Sequence, residues 1–304
     1  MISFRYHVVT ILAVFLALAV GVALGGGPLS EIGRGDDVAR KAEGRAADLE
    51  QQAAAAEHAT SFQDQFAGSL GGRAVGAALD GRTVSLVGMP GADEGVLKAL
   101  TSLVERAGGS VTGRYAVQPG LVDLDESSLV DTLGSQLRTS IDDNGVPASA
   151  TAYERIGGLL ARGIATGSDD GASVDAAAQE IVSSLEGAGL VVPEGEERLG
   201  SVVIVLLGDE PGKPEDVDDM YSGLLAGLAD RPDTLVLAGS TDSADGGLLS
   251  VLREDPATSR VMSSVDSVQS AAGRITTILA AASDASGEAG HWGALGNDGA
   301  VPRG

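Results

Sequence analysis

The pattern of hydrophobic and polar positions changes twice along the chain. From Val8 to Leu24 it is apolar but for Thr10 and Gly21, and no formal charge stands between Tyr6 and Ser30 with His7 neutral. Read as a helix, Tyr6–Gly27 would measure about 33 Å, close to the roughly 30 Å hydrocarbon core of a bilayer. Between Asp36 and Gly72 the apolar positions narrow to a stripe. Ala39, Ala42, Ala46, Leu49, Ala53, Ala56, Thr60 and Gln63 recur at alternating steps of three and four, the spacing of a coiled-coil seam. This stretch lacks proline and is rich in the helix formers Ala, Glu, Gln and Arg. A helical coiled-coil stalk is expected over residues 31–72, with a solvated single spacer helix as the competing reading; either is long enough to hold a domain about 45–55 Å from its base.

Beyond Gly72 short β-branched runs take over: Thr83–Val87, Ser110–Val117, Ser201–Leu207, Thr234–Ala238 and Val261–Val265. Several are continuously apolar, as strands buried on both faces are. Helical periodicities lie between them, at Leu97, Leu100, Val104 and Ala107, at Val217, Met220, Tyr221, Leu224, Leu225 and Leu228, and from Val268 to Ala282. Strands alternating with amphipathic helices predict an α/β domain over residues 80–285, built on a mostly parallel, doubly wound, Rossmann-like sheet. Residues 121–193 read as a helical insertion, and residues 286–304 as a flexible Gly-rich tail.

The first 30 residues are expected to form a single transmembrane anchor. A signal peptide has a shorter apolar core followed by small residues at the cleavage site, whereas here Ala17-Leu18-Ala19 lies inside the run. Arg5 alone precedes the span and Arg34, Arg40 and Lys41 follow it, but a long following domain translocates largely regardless of charge. The expected layout is a single-pass protein of the cell membrane with the bulk of the chain extracytoplasmic.

Composition narrows the chemistry. A formal net charge of −23 sets the chain against nucleic acid, whose phosphates it would repel. There is no cysteine, which removes disulfides, thiolate metal sites and thiol nucleophiles. In parallel sheets ligands gather beyond the carboxyl ends of the strands. There Asp93, Glu94, Asp209, Glu210 and Asp242 form a candidate acidic rim, able to hold a hard cation or to share acid and base work. The competing reading is that they start the helices that follow. Gly208–Pro214 resembles a phosphate loop but is a residue short before Gly-Lys and has proline in the Ser/Thr position. His7, His58 and His291 are scattered and read as surface or interfacial residues; no G-x-S-x-G elbow occurs. No catalytic residue and no cofactor are assigned.

The opening MISFRYHVVTILAVFLALAVGVALG, the Ala/Glu-rich helix behind it, and the late SSVDSVQSAAGRITTILAAAS with its AGHWGALG ending resemble the mycobacterial copper transport protein B family of actinobacteria. The resemblance spans both ends of the chain. It implies an envelope protein of copper efflux and tolerance, described for the family as pore-forming, with copper as transported ion and an outer-envelope location open. It also implies a membrane partner in cell-envelope growth and division. Cu(I) favours thiolate and thioether donors, and the chain offers only Met1, Met89, Met220 and Met262. One membrane helix lines a pore only by oligomerising, and a barrel requires strands of alternating polarity. Two further expectations stand beside copper transport: a non-catalytic coiled-coil scaffold that uses its stalk and α/β face to hold a membrane or cell-division partner in the envelope, or pairs with another copy, and an enzyme using the acidic rim.

Overall fold

The run VVIVLL forms the centre of the molecule because every side chain in it has an apolar surface to meet. In the computed structural model, which describes residues 11–18, 20, 35–195, 198–208, 214–284 and 290–303, strand β6 (Val202–Leu206) is buried throughout. Its alternate residues feed two cores. Val203 and Val205 join one apolar cluster, Val202, Ile204 and Leu206 the other. A strand buried on both sides gains nothing from alternating polarity, hence the unbroken apolar run.

The chain divides into two units, residues 1–63 and 64–304. In the first, residues 11–18 are helical, and helix α1 (Gly35–Val75) begins. Among the described residues no helix is long and apolar enough to cross a membrane. The expected anchor rests largely on residues 1–10, 19 and 21–30, which lie outside the described residues, as do residues 31–34 at the start of the expected stalk. From Leu49 to Gln63 the stripe read from the sequence is exposed on the single chain: Leu49 is 65% exposed, and Ala53, Ala56, Thr60 and Gln63 are exposed with it.

The second unit opens with the last turns of α1. Strand β1 (Thr83–Gly88), helix α2 (Glu94–Arg106) and strand β2 (Ser110–Val117) follow. Two short 3-10 turns then lead into α3 (Ser127–Ser140), α4 (Ala152–Ile164), β3 (Ala172–Ser173), α5 (Ala176–Gly187), β4 (Val191–Glu194) and β5 (Arg198–Leu199). After β6 come α6 (Pro214–Ala229), β7 (Thr234–Ala238), the short helices α7 (Thr241–Ala244), α8 (Leu248–Glu254) and α9 (Pro256–Ser259), then β8 (Ser263–Val265), α10 (Ala271–Asp284) and β9 (His291–Trp292). The main sheet runs β4-β2-β1-β6-β7-β8-β9, with β3 and β5 paired apart. All its neighbours are parallel except β4, which lies antiparallel to β2 and carries Pro193 opposite Tyr115. This is the mixed α/β architecture expected, with a mostly parallel sheet. Helices α4 and α6 contribute to the core on one face, α2 and α10 to that on the other.

Two stretches outside the strand runs read from the sequence contribute to the sheet. The region 121–193 does hold α3, α4 and α5, but it ends in the edge strand β4, so part of it belongs to the sheet. Within the stretch expected as a loose tail, residues 290–303 are built into the domain: β9 pairs in parallel with β8, and Trp292 is 5% exposed. Its glycines suggested looseness, but the only Trp of the chain supplies enough apolar surface to hold a two-residue strand.

Helices α4 and α6 meet through glycine. A Cβ on Gly157 would lie 2.1 Å from the carbonyl oxygen of Leu224, and one on Gly227 would lie 2.1 Å from that of Glu154. The two backbones therefore touch directly, an approach that any side chain at either position would prevent.

Candidate functional site

The acidic residues singled out from the sequence mostly start helices. Asp93 caps α2, its Oδ1 accepting the Val96 N–H at 2.9 Å. Glu94 occupies the first turn of the same helix, 3.8 Å from the Arg114 guanidinium, which also pairs with Glu194. Asp242 lies in the first turn of α7, where Ser240 is the cap. Asp209 and Glu210 are outside the described residues. Among the described residues no three of His, Asp or Glu are grouped to hold a metal ion.

A denser polar arrangement stands at the carboxyl end of β8. Asp266, fully buried, follows the strand directly. Its Oδ1 accepts from the Ser267 hydroxyl at 2.6 Å and the Ala294 N–H at 2.7 Å. Its Oδ2 accepts from the Leu295 N–H and from Arg253 Nη1, each at 3.1 Å. Arg253, projecting from α8, spends Nε on Ser264 Oγ at 2.7 Å and Nη2 on the Trp292 carbonyl at 3.0 Å. A buried ion pair is tolerated only when its remaining donors and acceptors are met in this way. Gly293, at φ +125°, admits the carboxylate: a Cβ there would fall 2.4 Å from Asp266 Cγ.

His291 joins the group through its ring, with Nδ1 2.9 Å from Ser264 Oγ. Burial first, then the Arg253 charge, hold its pKa below the ordinary value, with Asp298 and the Ser259 backbone acting against them. It is thus a half-buried member of a polar cluster, where the sequence suggested a surface or interfacial residue. The Ser264–His291 contact has no nucleophile geometry, because Ser264 is buried and its oxygen already accepts from Arg253. Asp298 meets the backbone N–H of His291, at 2.7 Å, and not the imidazole.

Next to Asp266, Ser267 has φ +67°, the only non-glycine residue in the left-handed region among those described. That turn places its hydroxyl 2.9 Å from Thr241 Oγ1. Gln269 Nε2 donates to the same Thr241 oxygen at 2.8 Å and its Oε1 accepts the Thr241 N–H at 3.3 Å. The loops after β7 and β8 are thereby clasped together. Sequence reading passed over Asp266, Arg253 and Ser264. The available signal was an Asp directly after a short strand, but its partners come from segments 13 and 28 residues away.

The three described methionines are core residues: Met89, Met220 and Met262 are 3%, 4% and 2% exposed. None presents its thioether at the surface.

Comparison with known proteins places these observations in a family context. The family described as "Copper transport outer membrane protein, MctB" matches residues 1–302. The chain is 29% identical over 296 residues to the copper transporter MctB of Mycobacterium tuberculosis, covering 92% of each chain. The protein of the same name from Mycobacterium bovis gives the same values. That of Mycobacterium leprae is 30% identical over 303 residues, again with 92% of both chains covered.

Proposed function

The chain belongs to the MctB copper-transport family, and from that membership we propose that it serves copper efflux and copper tolerance at the cell envelope. The observation that carries this reading is the extent of the match, which takes in both ends of the chain and nearly the whole length of the curated relatives. We read the protein as tethered by its N-terminal segment, with a doubly wound, Rossmann-like head beyond the membrane. The order β2-β1-β6-β7-β8 and the two cores support that description of the head.

Copper is cargo in this reading. Cu(I) prefers thiolate and thioether donors, the chain has no cysteine, and Met89, Met220 and Met262 are packed in the cores. The head therefore supports transport by holding its shape or its neighbours, without offering soft ligands from these three methionines. Deletion of the gene should lower the copper concentration that arrests growth and leave zinc and manganese tolerance unchanged. Complementation with the chain carrying Met89→Leu, Met220→Leu and Met262→Leu should restore copper tolerance. A deletion strain with ordinary copper tolerance would sink the reading.

A second role, a stalk that pairs with another copy or with an envelope partner, is favoured by the exposed stripe on α1, where Leu49 is 65% exposed. Because the chain has no cysteine, a single Leu49→Cys change gives an unambiguous cross-linking probe. Disulfide-linked species in membranes, at twice the chain mass or at the mass of a partner conjugate, are expected. Only uncross-linked chain under oxidising conditions would exclude close pairing at that position.

A further inference from the structure

A cavity of about 360 Å³ opens beside the glycine contact of α4 and α6. One wall is the connection between α3 and α4, from Asn144 to Ala150; the others bring Glu154 and Gly158 from α4, Gly227 from α6, and Asp230 and Arg231 from just beyond its end. The close approach of Gly157 and Gly227 to the facing backbones fixes the side of the cavity that α4 and α6 form, and the connection between α3 and α4 closes the rest.

Opposite charges line it without answering one another. Arg231 has no ion pair among the described residues, and its Nε is buried with no hydrogen-bond partner. Behind it stands Arg162, whose side chain is 4% exposed. Arg162 gives Nη2 to Asp175 at 2.6 Å and Nε to the Asp143 carbonyl at 3.0 Å, which leaves its buried Nη1 without a partner. Burial, then the Arg162 charge, pull Arg231 below its ordinary pKa, with the Asp143 and Asp175 carboxylates acting against them without an ion pair to it. Asp230, although an exposed residue, is pushed the other way, upward, by partial desolvation and then by Glu154. Glu154 uses Oε2 on the Thr151 N–H, at 2.7 Å, in the capping box that begins α4.

An anion alone would relieve Arg231 and be repelled by two carboxylates; a cation alone would meet the reverse. A molecule carrying both charges satisfies both sides, and the volume lies within the range of small-ligand pockets. We infer that this cavity binds a small zwitterion of the α-amino acid type, its carboxylate on Arg231 and its ammonium group at Asp230 and Glu154. This does not depend on the copper role.

The test is saturation-transfer NMR on the full-length protein in detergent micelles, with L-alanine, L-glutamate, L-lysine, acetate and methylammonium as separate probes. At least one amino acid should bind, and acetate and methylammonium should each bind ~10-fold more weakly, since each loses one of two charge-assisted contacts. Arg231→Gln and Asp230→Asn should each weaken the amino acid by a similar ~10-fold. Acetate or methylammonium binding as well as the best amino acid would overturn the inference, as would silence from all five probes. Unchanged amino acid binding in both variants would overturn it too. The ranking of probes on the unaltered protein decides the question even if a variant fails to fold.

Discussion

The carboxylate of Asp64, near the end of α1, accepts the backbone N–H of Ala271, the first residue of α10. The final turns of the long helix thus cap a helix of the α/β domain, and Gly68 and Gly71 bring those turns against Ala271 and Ile275. A carboxylate at a helix amino terminus meets both an orphan donor and the positive end of the helix dipole. Asp64→Ala should cost about 1–2 kcal/mol of stability. Chemical denaturation measures that loss, and hydrogen exchange should show the Ala271 amide protected in the parent and exchanging faster in the variant.

The glycine crossing of α4 and α6 gives a sharper test. Gly157→Ala or Gly227→Ala places a methyl group against a carbonyl at a distance no real contact reaches, so the helices must separate. A loss of about 3 kcal/mol or more is expected, at the upper end of overpacking costs. Gly44→Ala is the control: nothing lies within 4 Å of a Cβ there. Removing a glycine from the middle of α1 should stabilise that helix by about 1 kcal/mol. Thermal melts of the three variants should therefore move in opposite directions.

Breaking the buried pair from one side should release the C-terminal segment. Arg253→Met leaves the Asp266 carboxylate, wholly buried, without its cationic partner. The cost should be about 3–5 kcal/mol. Since Trp292 is the only tryptophan in the chain, its fluorescence should shift to the red, and protease sensitivity should appear near Gly290. The double change Arg253→Met with Asp266→Asn should recover part of the loss.

Acid should loosen the same segment through His291. Its folded-state pKa is held below 6.5, so the unfolded chain takes up a proton at higher pH than the folded one does. The contribution of His291 to stability is complete above pH 6.5 and is lost as the pH falls through the folded value. Asp175, lowered from 3.8 by its hydrogen bond to Arg162, contributes above that value and fails only in stronger acid. Equilibrium unfolding followed at Trp292 should show stability falling below pH 6.5. His291→Gln should flatten that part of the profile; an identical slope in the variant would assign it elsewhere.

The central strands were legible in the sequence because burial on both faces writes itself as an apolar run, as at Val202–Leu206 and Thr234–Ala238. The helices α2, α6 and α10 were legible by their period. Edge elements were not. Strand β4 spans VVPE and β9 only His-Trp, too short for any period to register. The Asp266 cluster escaped for a different reason: periodicity reports which positions are buried, and says nothing of which distant charges will meet there. Asp93 illustrates the converse. As a carboxylate after a strand it suggested a rim, while its local position before an amphipathic run already fitted the helix cap that it forms.

The two ends of the sheet have a bearing on how copies of this protein live together. An open row of peptide groups invites a neighbour to dock and extend the ladder. Here one boundary strand carries Pro193, which has no N–H to offer a newcomer, and the opposite one is two residues long. Both features work against edge-to-edge pairing between crowded copies.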